Sequence, residues 1–118
     1  MERTLYYYKA IVTSVHDGNT CTVDIDLGLN TWIRNEKLRM NIINAPELKG
    51  DERAKGLLSR DFLKNKIEGK EITIETIIDK REKYGRYLAE VWLEEKKGKF
   101  VNINDLMVTE GFAKYQKY

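Results

Sequence analysis

Five segments with period-two alternation and one amphipathic segment between the third and fourth predict a mainly β, α+β fold. Turn signals separate the strands: Asp17-Gly18, Gly28-Leu29-Asn30, and the charged run Asp79 to Gly85. A short second helix is expected near the C-terminus. This order suits a small closed barrel of the oligonucleotide/oligosaccharide-binding type, although a generic α+β sandwich gives a similar pattern.

The first strand covers Tyr6 to Ser14, rich in aromatic and β-branched residues. His16-Asp17-Gly18-Asn19 is a hairpin turn in which Gly18 is expected at positive φ. Thr20 to Leu27 follows, with Cys21, Val23, Ile25 and Leu27 on one face and Thr22, Asp24 and Asp26 on the other. The third strand spans Thr31 to Ile43, with a break near Asn35. Its end sets Leu38, Met40 and Ile42 on one face and Arg39, Asn41 and Ile43 on the other. Pro46 fixes its own φ and pushes Ala45 towards an extended conformation, so the strand stops there. Arg39 on the strand and Glu47 just after it are thereby held in a fixed relation.

Asp51 is the expected N-cap of the first helix, whose apolar stripe is Ala54, Leu58 and Phe62, widened by Leu57, Leu63 and Ile67. Gly56 costs this helix about 1 kcal/mol relative to Ala, and Gly69 ends it. Glu71 to Ile78 is the fourth strand, with Ile72, Ile74, Thr76 and Ile78 in phase, and Arg86 to Leu93 the fifth. Glu94 to Lys99 reads as a solvated turn and Phe100-Val101 as a short strand. Asn102 or Asn104 caps the second helix, which Gly111 stops.

The chain has 118 residues, 42% hydrophobic and 34% charged, which fits one domain over residues 1–118. A net charge of +2 does not announce a nucleic-acid binder, so any basic surface must come from local clustering. The single cysteine, Cys21, excludes an internal disulfide, and with His16 as the one histidine there is no Cys/His zinc set. Nothing resembles a signal peptide or a membrane span. The expectation is a monomer in the cytoplasm, with secretion after removal of a leader left open.

Three pieces carry a resemblance: Val15-His16-Asp17-Gly18-Asn19-Thr20, then Leu38-Arg39 through Asn44-Ala45-Pro46-Glu47, then Lys83-Tyr84-Gly85-Arg86. In this order and spacing they resemble the D-G-D-T, R…D-[TA]-P-E and K-Y-G-R patterns of the staphylococcal-nuclease-like (thermonuclease) family. Gly111-Phe112-Ala113 is similar to the family's G-[LF]-A. The family's type member has a further C-terminal helix that this chain is too short to hold.

The resemblance implies a five-stranded barrel that hydrolyses nucleic-acid phosphodiesters as an endonuclease. It implies Arg39 and Arg86 as phosphate ligands and Glu47 as general base or water-orienting group. It further implies a Ca²⁺ held near Asp17, Asn19, Asn44 and the Ala45 carbonyl, with Tyr84 touching substrate. The residue chemistry is consistent with those roles: guanidinium forks match phosphoryl oxygens bidentately, and a carboxylate can position or deprotonate water. Lys80, Arg81 and Lys83 form either a phosphate-attracting rim or an ordinary solvated loop.

Both aspartates of the family's metal site are asparagine here, at 19 and 44. An amide oxygen can ligate Ca²⁺ but brings no charge. One unit-charge pair at 4 Å and an effective dielectric of 20 is worth roughly 4 kcal/mol gross. The expected metal site is therefore weak, dependent on substrate charge, or lost. The alternative to a nuclease acting on DNA or RNA is an impaired nuclease-like barrel that binds nucleic acid without turnover; a protein-binding scaffold is the third. The plainer readings are strand-face pairing for Arg39, a loop carboxylate for Glu47, turn residues for Asn19, Asn44 and His16, and core for Cys21. Tyr6, Tyr7, Tyr8, Tyr115 and Tyr118 either stack bases or pack the chain ends.

Overall fold

The computed structural model describes residues 6–116, with backbone only for Ile78. Three antiparallel strands form a meander: β1 (Tyr7–Asp17), β2 (Thr20–Gly28) and β3 (Thr31–Met40). A two-residue β4 (Ile43–Asn44) leads through a loop and a 3-10 turn (Gly50–Glu52) into α1 (Arg53–Ile67). Then come β5 (Glu71–Arg81), β6 (Tyr87–Lys96), β7 (Lys99–Asn102), α2 (Ile103–Thr109) and β8 (Lys114–Tyr115). Strand order β3-β2-β1-β5-β6, with β6 pairing back onto β3 in parallel, closes a five-stranded barrel; β7 extends the sheet from β6.

Alternation fills the barrel as expected along β1, β2 and β5: Ala10, Val12, Cys21, Val23, Ile25, Ile72 and Ile74 are all buried. Leu63 and Ile67 of α1 and Ile103 and Met107 of α2 complete the same core. Thr76 is buried in phase with them, while the side chain of Ile78 lies outside the described residues, as does Tyr118. Asn35 (φ +58°) marks the anticipated irregularity in β3: the register jumps from Val23↔Glu36 to Ile25↔Ile33, and the Asp24 carboxylate accepts the Asn35 N–H.

Several expectations are corrected. The third strand does not run to Ile43. The chain turns at Asn41–Ile42, with Ile42 at φ +52°, and this shift of phase buries Ile43 and exposes Ile42. The short β4 then pairs with β8, a partnership between Ile43-Asn44 and Lys114-Tyr115 that no local pattern announces. Asp51 is not an N-cap: α1 follows directly on the 3-10 turn and has no side-chain cap bond. The charged run after Ile78 is partly strand, because β5 continues to Arg81 through an irregularity at Asp79 (φ +51°). Likewise β6 and β7 consume most of the expected Glu94–Lys99 turn. Of the two cap candidates, Asn102 accepts the Asp105 N–H at 2.9 Å. Asn104 is instead buried, its oxygen accepting from Val91 N–H and its nitrogen donating to the carbonyls of Asn41 and Ala89. It fastens α2 to β6 and to the turn that ends β3.

The helix is also rotated from its expected face. Ala54 and Leu58 are exposed, and the buried line is Gly56, Ser59, Leu63 and Ile67. Close approach explains this. A Cβ on Gly56 would lie 2.2 Å from the Glu47 carbonyl oxygen, and one on Gly18 would lie 1.9 Å from Ser59 Oγ and 2.7 Å from Ala45 Cβ. Gly18, which does not have positive φ, is therefore there for contact rather than for turn geometry. The two glycines let α1 press the loop 45–47 against the β1–β2 turn. Ser59 Oγ donates to the Phe112 carbonyl at 2.8 Å, and Phe62 stacks on Phe112 with centroids 4.5 Å apart, which gives Gly111-Phe112-Ala113 its packing role.

Gly56→Ala tests this packing, since helix propensity alone would make it stabilising by about 1 kcal/mol. We expect the opposite sign, a loss of about 1–3 kcal/mol from overpacking, read as a lower urea midpoint. Asn104→Ala, which strands buried backbone groups on β6, is expected to cost about 3 kcal/mol in the same assay.

Candidate functional site

The barrel-closing pairs are Leu38↔Tyr87, Arg39↔Leu88 and Met40↔Ala89. They set Arg39 beside a residue two positions past Arg86, so both arginines reach the same end of the barrel. On the other side of β3, Thr20 is the register partner of Arg39, which brings in the β1–β2 turn. A cleft of about 410 Å³ opens there, lined by His16, Asp17, Thr20, Lys37, Tyr84 and Arg86.

Arg39 is buried, at 8% exposure, and its Nη1 donates to the Met40 carbonyl at 2.7 Å. It also faces Asn19. The Asn19 amide fits its surroundings with its nitrogen towards Asp17 Oδ1 (2.6 Å) and Thr20 Oγ1 (3.1 Å). Its oxygen then accepts from Arg39 Nη1 (3.2 Å), Arg39 Nη2 (3.3 Å) and the Ala45 backbone N–H (3.1 Å). The Asn19 backbone N–H also donates to Asp17 Oδ1 at 3.0 Å. Asp17, Asn19, Thr20, Arg39 and Ala45 thus form one connected network.

Arg86 is held differently. Its Nε and Nη2 donate to the two carboxylate oxygens of Glu82 at 3.1 and 3.0 Å. Glu82 also accepts the backbone N–H groups of Tyr84 and Arg86, which shapes the loop. The Arg86 side-chain bonds, helped by these N–H groups, pull the Glu82 carboxyl down to about 2. Tyr84, 71% exposed, lies beneath both cations of this loop: Lys83 Nζ is 5.0 Å and Arg86 Cζ 5.4 Å from its ring centroid.

The remaining candidates are scattered. Glu47 is exposed on the loop; its N–H donates to Glu52 Oε1 at 3.1 Å. Asn44 is exposed on β4 and lines a second groove, of about 540 Å³, between α1 and the β8 segment. Arg81 is turned away from the cleft: it lies over the Tyr87 ring at 4.4 Å, donates to its hydroxyl and comes within 3.7 Å of Glu36. Lys80 is exposed and outside the residues lining the cleft. His16 is exposed, with Nε2 at 2.7 Å from Thr22 Oγ1. Cys21 is fully buried, and burial pushes its thiol up to about 12, which fits a core residue. Lys37 and Glu82 were invisible to motif reading. Their signals are positional: Lys37 precedes Arg39 by one alternation on β3, and Glu82 stands four residues before Arg86 across a glycine turn.

Ca²⁺ wants six to eight oxygen ligands, several of them charged. Here the Asn19 oxygen faces a guanidinium and a backbone N–H, so it is directed at hydrogen-bond donors. Asp17, the one carboxylate of the expected set, is already receiving N–H groups from Asn19. Among the described residues no three His, Cys, Asp or Glu side chains gather into a metal-holding group. The residues present do not fit a resident divalent cation.

A family model described as staphylococcal nuclease homologue matches residues 37–118. The chain belongs to this family. The matched residues include Arg39, Asn44, Ala45, Glu47 and Arg86, whereas the Asp17–Thr20 turn lies before them. No curated protein matches the chain. Membership supports the nuclease-type family and makes interaction with nucleic acid plausible. No helix among the described residues is long and apolar enough to cross a membrane.

The Glu82–Arg86 pair yields a pH prediction. Its folded pKa lies below the ordinary value of 4.5, so the pair stabilises the fold above that value and the contribution fades as pH falls towards 2. Thermal melts across that interval should show this acid limb flattened in Glu82→Gln. Releasing Arg86 should also tighten binding of a phosphodiester ligand several-fold at low salt, measured by fluorescence anisotropy.

Proposed function

We propose that this protein hydrolyses nucleic-acid phosphodiesters at the barrel end where β3, β6 and the β1–β2 turn meet. Arg39 and Arg86 serve as phosphate ligands, and Glu47 as the carboxylate that orients or deprotonates water. The observation that supports this reading is the β3–β6 register, which sets Arg39 opposite Leu88, two positions past Arg86, next to a cleft lined by Arg86 and by Thr20, the β2 partner of Arg39. Family membership adds to it. Hydrolysis builds charge on the equatorial phosphoryl oxygens, and guanidinium groups fixed beside them stabilise that charge without reorganising. Lys37, Lys83 and Tyr84 line or flank the same opening, where a backbone phosphate and a base face would pass. Arg81 and Lys80 have no part in it. No step is assigned to calcium, because the donor set does not suit it.

A second reading, strand binding without turnover, is favoured by two observations. Arg86 is engaged bidentately by Glu82, and a neutral amide, Asn19, bridges Asp17 and Arg39. Single-stranded DNA and RNA oligonucleotides, assayed for cleavage and for binding, separate the two. For the nuclease, Glu47→Ala should lower cleavage by about 10²-fold or more while strand affinity holds. Arg86→Ala should weaken binding and cleavage together and reduce the salt slope of binding by about one. Binding with no cleavage at any divalent concentration gives the second reading. Neither binding nor cleavage at low salt would leave only a scaffold role.

A further inference from the structure

We propose that Asn19 is a positioning residue that stands in for a divalent cation, so that the site is organised, and grips phosphodiester, independently of metal. A cation can only gather acceptors. The Asn19 amide has a donor end and an acceptor end, and here each is used. With the amide assigned so that both ends are satisfied, its nitrogen lies 2.6 Å from the Asp17 carboxylate, and its oxygen faces both Nη atoms of Arg39 and the backbone N–H of Ala45. A metal ion placed between Asp17 and Arg39 would repel the guanidinium; a neutral amide joins the two.

The network spans three separate parts of the chain. Asp17 and Asn19 belong to the β1–β2 turn, Arg39 to β3, and Ala45 to the loop that carries Glu47. Asn19 is buried, at 6% exposure, and its turn is clamped by the close approach of Gly18 to Ser59 and Ala45. The amide therefore sets where the Arg39 fork points and where loop 45–47 begins, with no ion required. The amide bridges the Asp17 carboxylate and the Arg39 guanidinium.

An aspartate at this position reverses the logic. Its carboxylate would face that of Asp17 across the present 2.6 Å contact and would lose both N–H donors. Like charges at that distance need a cation between them, so Asn19→Asp should convert a metal-indifferent site into a metal-requiring one.

The experiment compares the native chain, Asn19→Asp and Asn19→Ala in EGTA and in millimolar Ca²⁺. It reads thermal melting and the affinity for a fluorescent single-stranded oligonucleotide. The affinity arm rests on the phosphodiester reading above; the melting arm does not, so failure of that reading leaves this one testable. For the native chain, melting and affinity should agree between the two conditions within about twofold. Asn19→Asp should melt lower in EGTA and recover with Ca²⁺, with affinity, where binding is seen, rising about tenfold on Ca²⁺ addition. Asn19→Ala should be weakened in both conditions with no recovery, which separates positioning from mere packing. A tenfold or larger Ca²⁺ response of the native chain, or a Ca²⁺-dependent rise in its melting temperature, overturns the proposal. So does an Asn19→Asp chain that matches the native one in EGTA.

Discussion

The parallel pairing of Leu38–Met40 with Tyr87–Ala89 is the constraint on which the rest of the molecule depends. It closes the barrel, and closure removes the free sheet edges of β3 and β6 at that point. Because β3 is enclosed there, Leu38, Arg39 and Met40 are all buried, and strict in-out alternation gives way. A buried arginine is costly unless its donors are met. Arg39 is met by the Met40 carbonyl and by the Asn19 amide. The element that completes the fold and the element that orients the cation are thus the same short stretch.

From that closure the site loop follows. The turn at Asn41–Ile42 redirects the chain, and Asn104 fixes the turn by taking the Asn41 carbonyl together with two groups of β6. Ile43 then drops into the core and Ala45 meets Asn19. From outside, α1 presses the loop inward, possible only because Gly56 and Gly18 lack side chains at the contacts. The loop that carries Glu47 is held from the barrel, from the helix and through Glu52. Such a scaffold suits a group that must keep a fixed distance from a phosphate.

The two arginines differ in how they are restrained, and this bears on function. Arg39 is fixed by a buried, neutral-bridged network that a ligand cannot easily displace. Arg86 sits in an intermediate environment in a part-buried ion pair and lines the cleft, where a phosphate can compete for its fork. One cation is therefore a permanent feature of the site and the other a conditional one. That asymmetry is not something the motifs alone imply.

Most of the architecture was legible from the sequence: strand period, the helix between strands, an asparagine cap at 102 or 104 and the Gly111 stop all rest on local physics. The strand that carries Arg39 and the strand that follows Arg86 are neighbours through the parallel β3–β6 pairing, which the sequence pattern did not show. Tertiary contact decided the rest. Whether Gly56 weakens a helix or admits a carbonyl, and whether Ile42 or Ile43 enters the core, depends on atoms far away in the chain. Asn104 reads locally as a cap and globally as a buried clasp. Asn19 shows the same division most sharply. The sequence determined that an uncharged amide stands at a position where a carboxylate was expected. Only the folded structure, by bringing Asp17, Arg39 and Ala45 around it, decided that both ends of that amide are used, since donor and acceptor geometry exists only between groups already held in space.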